Sequence, residues 1–302
     1  MNTKPIKYAV DLAALGSFQK VAEKHKVSRS AISRNIKQLE EELGCTLFVK
    51  LQDGIVPSCV GDVFLRYGRQ ILNIEDDLLY SIGEDGAYQG NVNIGMGTNR
   101  SMMFLSDIMP DFVKTYPNIS VHIHEMRTSE IVNALLSRQL DFAVVSKVIR
   151  TEGLVFVPLL EEDLVMVVPA DDKYAKEHCY RKGNRSYVRL QDFKEKSFVA
   201  GHSGQKSMDI ADSLFESTGI APKIVLRTEN CYARAKLAEK SNCYALIPHS
   251  YTHIRGTISE HYHIESDLTT TWNVGITYID SDEMTKVAQT LKDFILSKMR
   301  KT

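Results

Sequence analysis

Residues 17–44 leave room for two short helices with only three residues between them, and no other stretch restricts the fold so tightly. Ser17 is placed to cap a helix beginning at Phe18, and Ser28 to cap a second beginning at Arg29. A serine oxygen in that position accepts from an amide the first turn leaves unpaired. His25-Lys26-Val27 is all that joins them, so the pair must close into a tight helix-turn-helix. In the second helix Ile32, Ile36, Leu39 and Leu43 follow steps of four, three and four, which predicts one buried stripe. Gly44 supplies the stop. The opposite face carries Arg29, Ser33 and Lys37, each four apart, with Ser30 and Arg34 beside them. Short hydroxyls near a helix start, flanked by long cations, suit a DNA major groove. Arginine reaches guanine edges with two hydrogen bonds, while serine and lysine reach phosphate or base edges. A charged helix face is ordinarily just solvated; the tight-turned partner helix tips the reading towards DNA. With a helix before it and a β-wing after it, the segment 5–58 reads as a three-helix winged unit.

Charge is distributed accordingly. The whole chain of 302 residues has a net charge of −1, which by itself argues against nucleic acid. Up to Leu39, however, eight Lys and Arg stand against Asp11 and Glu23, a net of +6, so the remainder carries −7. A basic end on a mildly acidic body implies that one part meets phosphate and the other does not. The length suits two or three domains, and 43% hydrophobic with 25% charged residues is ordinary globular usage. No run of about 18 apolar residues predicts a membrane span. Asp11 interrupts the apolar stretch a secretion signal would need, so a cytoplasmic location is expected. Five scattered cysteines without a CxxC pair (Cys45, Cys59, Cys179, Cys231, Cys243) predict reduced thiols rather than a disulfide framework or a zinc site.

The run from Gly16 to Phe48 resembles the helix-turn-helix of the LysR-type transcriptional regulators. That pattern has a small residue and an aromatic before the first helix, then Ser-x-x-Ala-hydrophobic-Ser-Arg, then Leu-Glu-x-x-Leu-Gly-x-x-Leu-Phe. Ser28, Ala31, Ile32, Ser33, Arg34, Leu39, Glu40, Leu43, Gly44, Leu47 and Phe48 stand in those places. The resemblance implies DNA contacts from Arg29, Ser30, Ser33, Arg34 and Lys37, with Lys50 on the wing. Two departures bear on this. Arg29-Ser30 replaces a common Gln-Pro, which changes base preference. The wing Val49-Lys50-Leu51-Gln52-Asp53-Gly54 has one basic residue where arginines are usual. Every phosphate that a wing leaves without a cation flattens the salt dependence by about 0.9 in log-log slope.

After Pro57-Ser58, proline is absent up to Asp85. Val60, Phe64, Tyr67, Ile71, Ile74, Leu78 and Ile82 form nearly a heptad seam. Such a helix is marginal alone and needs a partner along the stripe. The segment 59–89 is read as a linker, with a homodimer formed through 59–85; packing against its own domain is the other way to cover the seam. Gly83, Gly86 and Gly90 mark a hinge. The resemblance implies a homotetramer.

From Asn91 strands and helices alternate, which predicts α/β architecture with a mostly parallel sheet. The strands are Val92–Met96, Ile119–His124, Phe142–Val145, Leu164–Val168, Phe198–Gly201, Ile224–Leu226 and Tyr244–Pro248, with a return through Trp272–Ile276 and a last helix over Val287–Ile295. Residues 90–302 resemble the two-lobed, periplasmic-binding-protein-like effector domain of the same family. Lobe I would be 90–162 and 268–302, and lobe II 163–267. In open α/β sheets ligands settle beyond the carboxyl ends of strands, near helix N-termini. That places Thr98, Asn99, Arg100, Ser101, Thr128, His202, Ser203 and Asn230 at a small-molecule effector site. Simple helix capping by Thr128 or Ser129 is the plainer role for such residues. Arg100 and the helix starts favour an anion such as a small carboxylate, whereas Glu229 would repel one or receive an amine. Lys240-Ser241-Asn242-Cys243-Tyr244 replaces the small residues usual before Leu-Ile-Pro.

No GxSxG, Walker loop or HExxH supports an enzyme, and Gly95-Met96-Gly97 lacks the third glycine of a dinucleotide fingerprint. No cofactor is expected. His122 with His124, and His261 with His263, alternate on strands and share a face, but without an evident third ligand each reads as a structural pair rather than a metal site. A redox sensor would need two cysteines in reach, and only Cys231 and Cys243 are candidates. A freestanding solute-binding protein conflicts with the basic N-terminal unit.

Overall fold

The computed structural model describes residues 2–51, 54–82, 90–146, 152–253, 260–280 and 284–299. Gln52, Asp53, Gly83 and Gly86 lie outside them, as does the Ile82 side chain. The chain forms two compact units: Met1–Gly95, Phe112–Ala143 and Tyr278–Phe294 make one, and Met96–Asp111, Val144–Thr277 and Ile295–Thr302 the other.

The first unit begins with α1 (Lys4–Leu15), α2 (Phe18–His25), α3 (Arg29–Leu43), the hairpin β1 (Phe48–Leu51) and β2 (Gly54–Pro57), and α4 (Cys59–Ile82). Ser28 caps α3 as expected, its Oγ accepting from Ala31 N at 3.2 Å. Ser17 occupies the N-cap of α2 without a side-chain hydrogen bond. Lys26 makes the inter-helix turn in the left-handed region, φ 53°. Ala9, Leu12, Val21, Ala22, Ile32, Ile36, Leu39, Leu47 and Leu65 form the core of this part. Leu43 was expected in the stripe but is exposed. The chain turns away at Gly44, and the Glu40 carboxylate instead accepts from Leu47 N (2.7 Å) and Phe48 N (3.1 Å), fixing where the wing departs. Glycine costs a helix about 1 kcal/mol relative to alanine, yet Gly61 sits inside α4. A Cβ there would lie 2.0 Å from Leu47 O, so only glycine lets α4 seat against the wing.

The chain continues through β3 (Gly90–Met96), α5 (Thr98–Asp107), α6 (Met109–Thr115), β4 (Ile119–Glu125), α7 (Thr128–Leu136) and β5 (Phe142–Ser146). In the first unit the strands run in the order β5-β3-β4. Neither Thr128 nor Ser129 caps α7. Arg127 is its N-cap, and Glu130 accepts from Arg127 N at 2.9 Å.

The second unit contains β6 (Leu154–Val167), α8 (Lys173–His178), β7 (Tyr180–Lys182), β8 (Arg185–Arg189), β9 (Ser197–Ala200), α9 (Lys206–Ser217), β10 (Lys223–Arg227), α10 (Cys231–Glu239), β11 (Cys243–Pro248), β12 (His261–Glu265) and β13 (Thr271–Ile279). Helix α11 (Lys286–Met299) closes the chain. The order here is β10-β9-β11-β6-β13, with β12 beside β6 and β8, and β7 on β8. The sheet is mixed rather than mostly parallel: β9 pairs in parallel with β10 and β11, while β6 runs antiparallel to β11 and β12. These antiparallel pairs both involve β6, a 14-residue strand. Val165, Val167, Val199, Ala235, Ala238, Ala245 and Ile247 are buried at its centre.

Candidate nucleic-acid interface and effector site

On α3 the buried stripe and the polar face are both anchored by the same helix start. Arg29, Ser30, Ser33, Arg34 and Lys37 line the polar face, and Lys50 lies exposed on β1. Lys37 faces Glu41 at 3.6 Å, an exposed pair of the kind that contributes little. No ion pair holds Arg29 or Arg34 among the described residues. Nearby, Asp11 pairs with Lys24 Nζ at 2.7 Å and lies 2.5 Å from His25 Nε2. This leaves two guanidinium groups and short hydroxyls on a rigid, capped helix, which is the geometry a groove requires. The wing is held by Ile55 N donating to Gly16 O at 3.1 Å, so Lys50 on β1 is fixed relative to α1.

The eight residues nominated for a small molecule have different fates. In the second unit, the Asn99 amide bridges two loops, donating to Glu229 O (2.7 Å) while its Oδ1 accepts from Cys231 N (2.9 Å). Gln205 Nε2 donates to the same Glu229 O at 3.0 Å. The loops carrying Asn99, His202-Ser203 and Asn230 therefore meet around one carbonyl. His202 and Ser203 are exposed, and Thr98 is exposed at the start of α5. Asn230 is exposed and caps α10, with Oδ1 accepting from Ala233 N at 2.9 Å. Ser101 is buried and donates to Thr98 O at 2.8 Å, a bond that shapes the loop. Thr128 is exposed and belongs to the first unit.

Arg100 is already paired. Its guanidinium lies 3.3 Å from Glu162, whose other contacts come from Ser250 N (3.0 Å) and Ser250 Oγ (2.6 Å), and it stacks over Tyr251. Sequence reasoning found Arg100 but missed both Glu162 and Arg234. Arg234 is fully buried, and its guanidinium donates to Gln205 Oε1, Leu246 O and the sulfurs of Met208 and Cys231; Nε has no partner among the described residues. No carboxylate is among these acceptors. A buried cation is expensive unless its N–H groups are met, and neutral oxygens and sulfurs meet them here. Its only sequence signal was an arginine on a helix otherwise rich in alanine. Burial pushes the Cys231 thiol up, against the opposing pull of Arg234, which keeps it protonated. Burial likewise pushes the Tyr251 hydroxyl up. All five cysteines are free. As the side chains are placed, no three His, Cys, Asp or Glu among the described residues converge on a metal position. No helix among the described residues is long and apolar enough to cross a membrane.

Residues 4–62 match the family model for the bacterial regulatory helix-turn-helix protein of the lysR family, and residues 85–300 match the LysR substrate binding domain. The chain is 29% identical over 172 residues to the uncharacterized HTH-type transcriptional regulator YcgK of Bacillus subtilis; that stretch is 57% of this chain and 53% of the relative. The chain therefore spans about half the length of that relative. Its fold is similar to a full-length OxyR variant of Pseudomonas aeruginosa, with a TM-score of 0.72, 16% identity, and coverage of 99% of this chain and 95% of the other. It is also similar to full-length CbnR complexed with its target DNA: TM-score 0.54, 20% identity, coverage 99% and 100%.

Proposed function

The chain belongs to the LysR family of bacterial regulators, and from that premise we propose that it is a cytoplasmic transcriptional regulator rather than an enzyme. Arg29, Ser30, Ser33, Arg34 and Lys37 enter a major groove of operator DNA, and Lys50 meets the adjoining backbone. The observation that carries this is the capped α3 helix, which leaves two guanidinium groups and two hydroxyls on one polar face.

We divide the chain functionally into 1–58 for DNA, 59–89 for linkage, and 90–302 for effector binding. Val60, Tyr67, Ile71, Ile74 and Leu78 are exposed along α4, an apolar stripe that water disfavours. A second copy covers it, making a homodimer that assembles further into a homotetramer and presents paired α3 helices to two half-sites. The effector is a small anion, a carboxylate by preference. Arg100 does not receive it, being matched by Glu162; the loops that meet above the buried Arg234 do. Thr98, His202 and Ser203 supply further polar contacts. Effector binding biases two arrangements of the dimer on DNA by its differential affinity for them.

Selection of duplexes from a random pool by the purified full-length chain tests the reading. A consensus of two half-sites, lost in Arg34→Ala, supports it; recovery of unrelated sequences by both proteins overturns it.

A further inference from the structure

Four of the nine histidines gather in the second unit, although the sequence offered them only as one isolated pair. His261 and His263 alternate on β12. His249 opens, and His253 follows, the 3-10 turn His249–Thr252. The His249 ring is the hub, with centres 5.4 Å from His253, 5.3 Å from His261 and 5.5 Å from His263. His253 and His261 are 6.3 Å apart.

Among the described residues, charges face this cluster from β6, from β8 and from the start of β12. From β6, Asp163 accepts from His263 Nδ1 at 2.6 Å and from Thr270 Oγ1 at 2.8 Å, with Arg185 of β8 3.9 Å away. The Tyr187 ring of β8 lies 5.4 Å from His263. Glu162 of β6 is engaged by Arg100 of α5 and by Ser250. At the start of β12, Glu260 is held by Lys176 at 2.9 Å. Asp163 already accepts from His263 and Thr270, and Glu162 is held by Arg100 and Ser250, so two imidazolium charges about 5 Å apart in this cluster would repel strongly in a partly buried site. Burial, then the neighbouring His263 and His253, hold His249 below the ordinary imidazole value, so it is neutral at neutral pH.

His249 immediately precedes Ser250, which makes two of the hydrogen bonds that fix Glu162. Glu162 in turn fixes Arg100, next to the loop-bridging Asn99. We propose that the four histidines form an acid-sensitive latch. Neutral, they let the His249–Thr252 turn close on Glu162. Protonation of two of them drives the turn away, frees Arg100 and loosens the loop at Thr98–Ser101. Mild acidity then weakens effector binding, a consequence that rests on the effector reading above; the latch itself does not.

Trp272 is the one tryptophan and lies two residues beyond Thr270, which holds Asp163. Its fluorescence in the full-length chain, titrated from pH 7.5 to 5 without DNA or effector, reads the latch. The expected result is a transition steeper than one proton between roughly pH 6.5 and 5. His253→Gln, at an exposed position, makes it shallower, and the double substitution His249→Gln with His253→Gln removes it. His122→Gln with His124→Gln leaves it unchanged. An identical transition in the wild type and the His249/His253 double variant overturns the latch. So does a transition that appears only with added zinc chloride, which would make the cluster a metal site. Failure here leaves the regulatory reading standing, and failure to find a DNA preference leaves the latch standing.

Discussion

Arg34 and Lys50 are both cations of the winged unit, yet they should act differently on a duplex. Arg34 sits on the α3 face among hydroxyls. Arg34→Ala is expected to weaken operator binding by about 1–3 kcal/mol and relax the preferred sequence. Lys50 is on the wing, where the DNA backbone is the nearer target. Lys50→Ala should weaken all duplexes alike and reduce the log-log salt slope by about 0.9; fluorescence anisotropy across a salt series separates the two. Arg100 belongs to another category. Removing it in Arg100→Ala strands Glu162, only 2% exposed, without its cation. Breaking such a pair costs about 3–5 kcal/mol, visible as a lower urea midpoint before any ligand is considered. The difference shows what a sequence reveals at this scale. The α3 face was legible because helix periodicity places it. The role of Arg100 was not, because its partner is 62 residues away in a strand with no local mark.

The elements were legible where one period governed them. Cap, stop and the stripe of Ile32, Ile36 and Leu39 in α3 follow from residues 28–44, Leu43 alone falling outside it, and Ser28→Ala should cost about 1 kcal/mol of thermal stability by removing the acceptor for Ala31 N. In α4 the heptad pattern was real but served two surfaces. Phe64 packs on the helix-turn-helix core with Leu65, while Tyr67 and Ile74 are 56% and 63% exposed. A seam read from spacing alone cannot show which members turn inward. Ile74→Asp is expected to convert the dimer to monomer in sedimentation velocity while leaving helix content unchanged; a dimer that persists removes α4 from the interface. The hairpin β7–β8 escaped notice because its strands are three and five residues long and largely polar. Most of β6 did too, since its half-buried first part shows no alternation.

At the scale of the whole molecule, a regulator must stay marginal enough to switch. His124 is held below the ordinary imidazole value of 6.5 by burial and then by His122, and His249 by burial and its histidine neighbours. Both bind protons more weakly folded than unfolded. The unfolded chain therefore takes up more protons on acidification, and stability that is complete above about pH 6.5 declines as pH falls through and below that value. Melting temperature should stay level from pH 7.5 to about 6.5 and fall from there to 5.5. An effector at 100 times its Kd should add about 2.7 kcal/mol at neutral pH. The central claim is that this chain reads DNA sequence through α3. The most direct measurement is equilibrium binding of the full-length chain to its selected duplex and to a scrambled one, from about 50 to 200 mM salt. The account predicts a preference for the selected duplex that persists at the higher salt and disappears in Arg34→Ala. Equal affinity for both duplexes, with Arg34→Ala indistinguishable from the wild type, would contradict it.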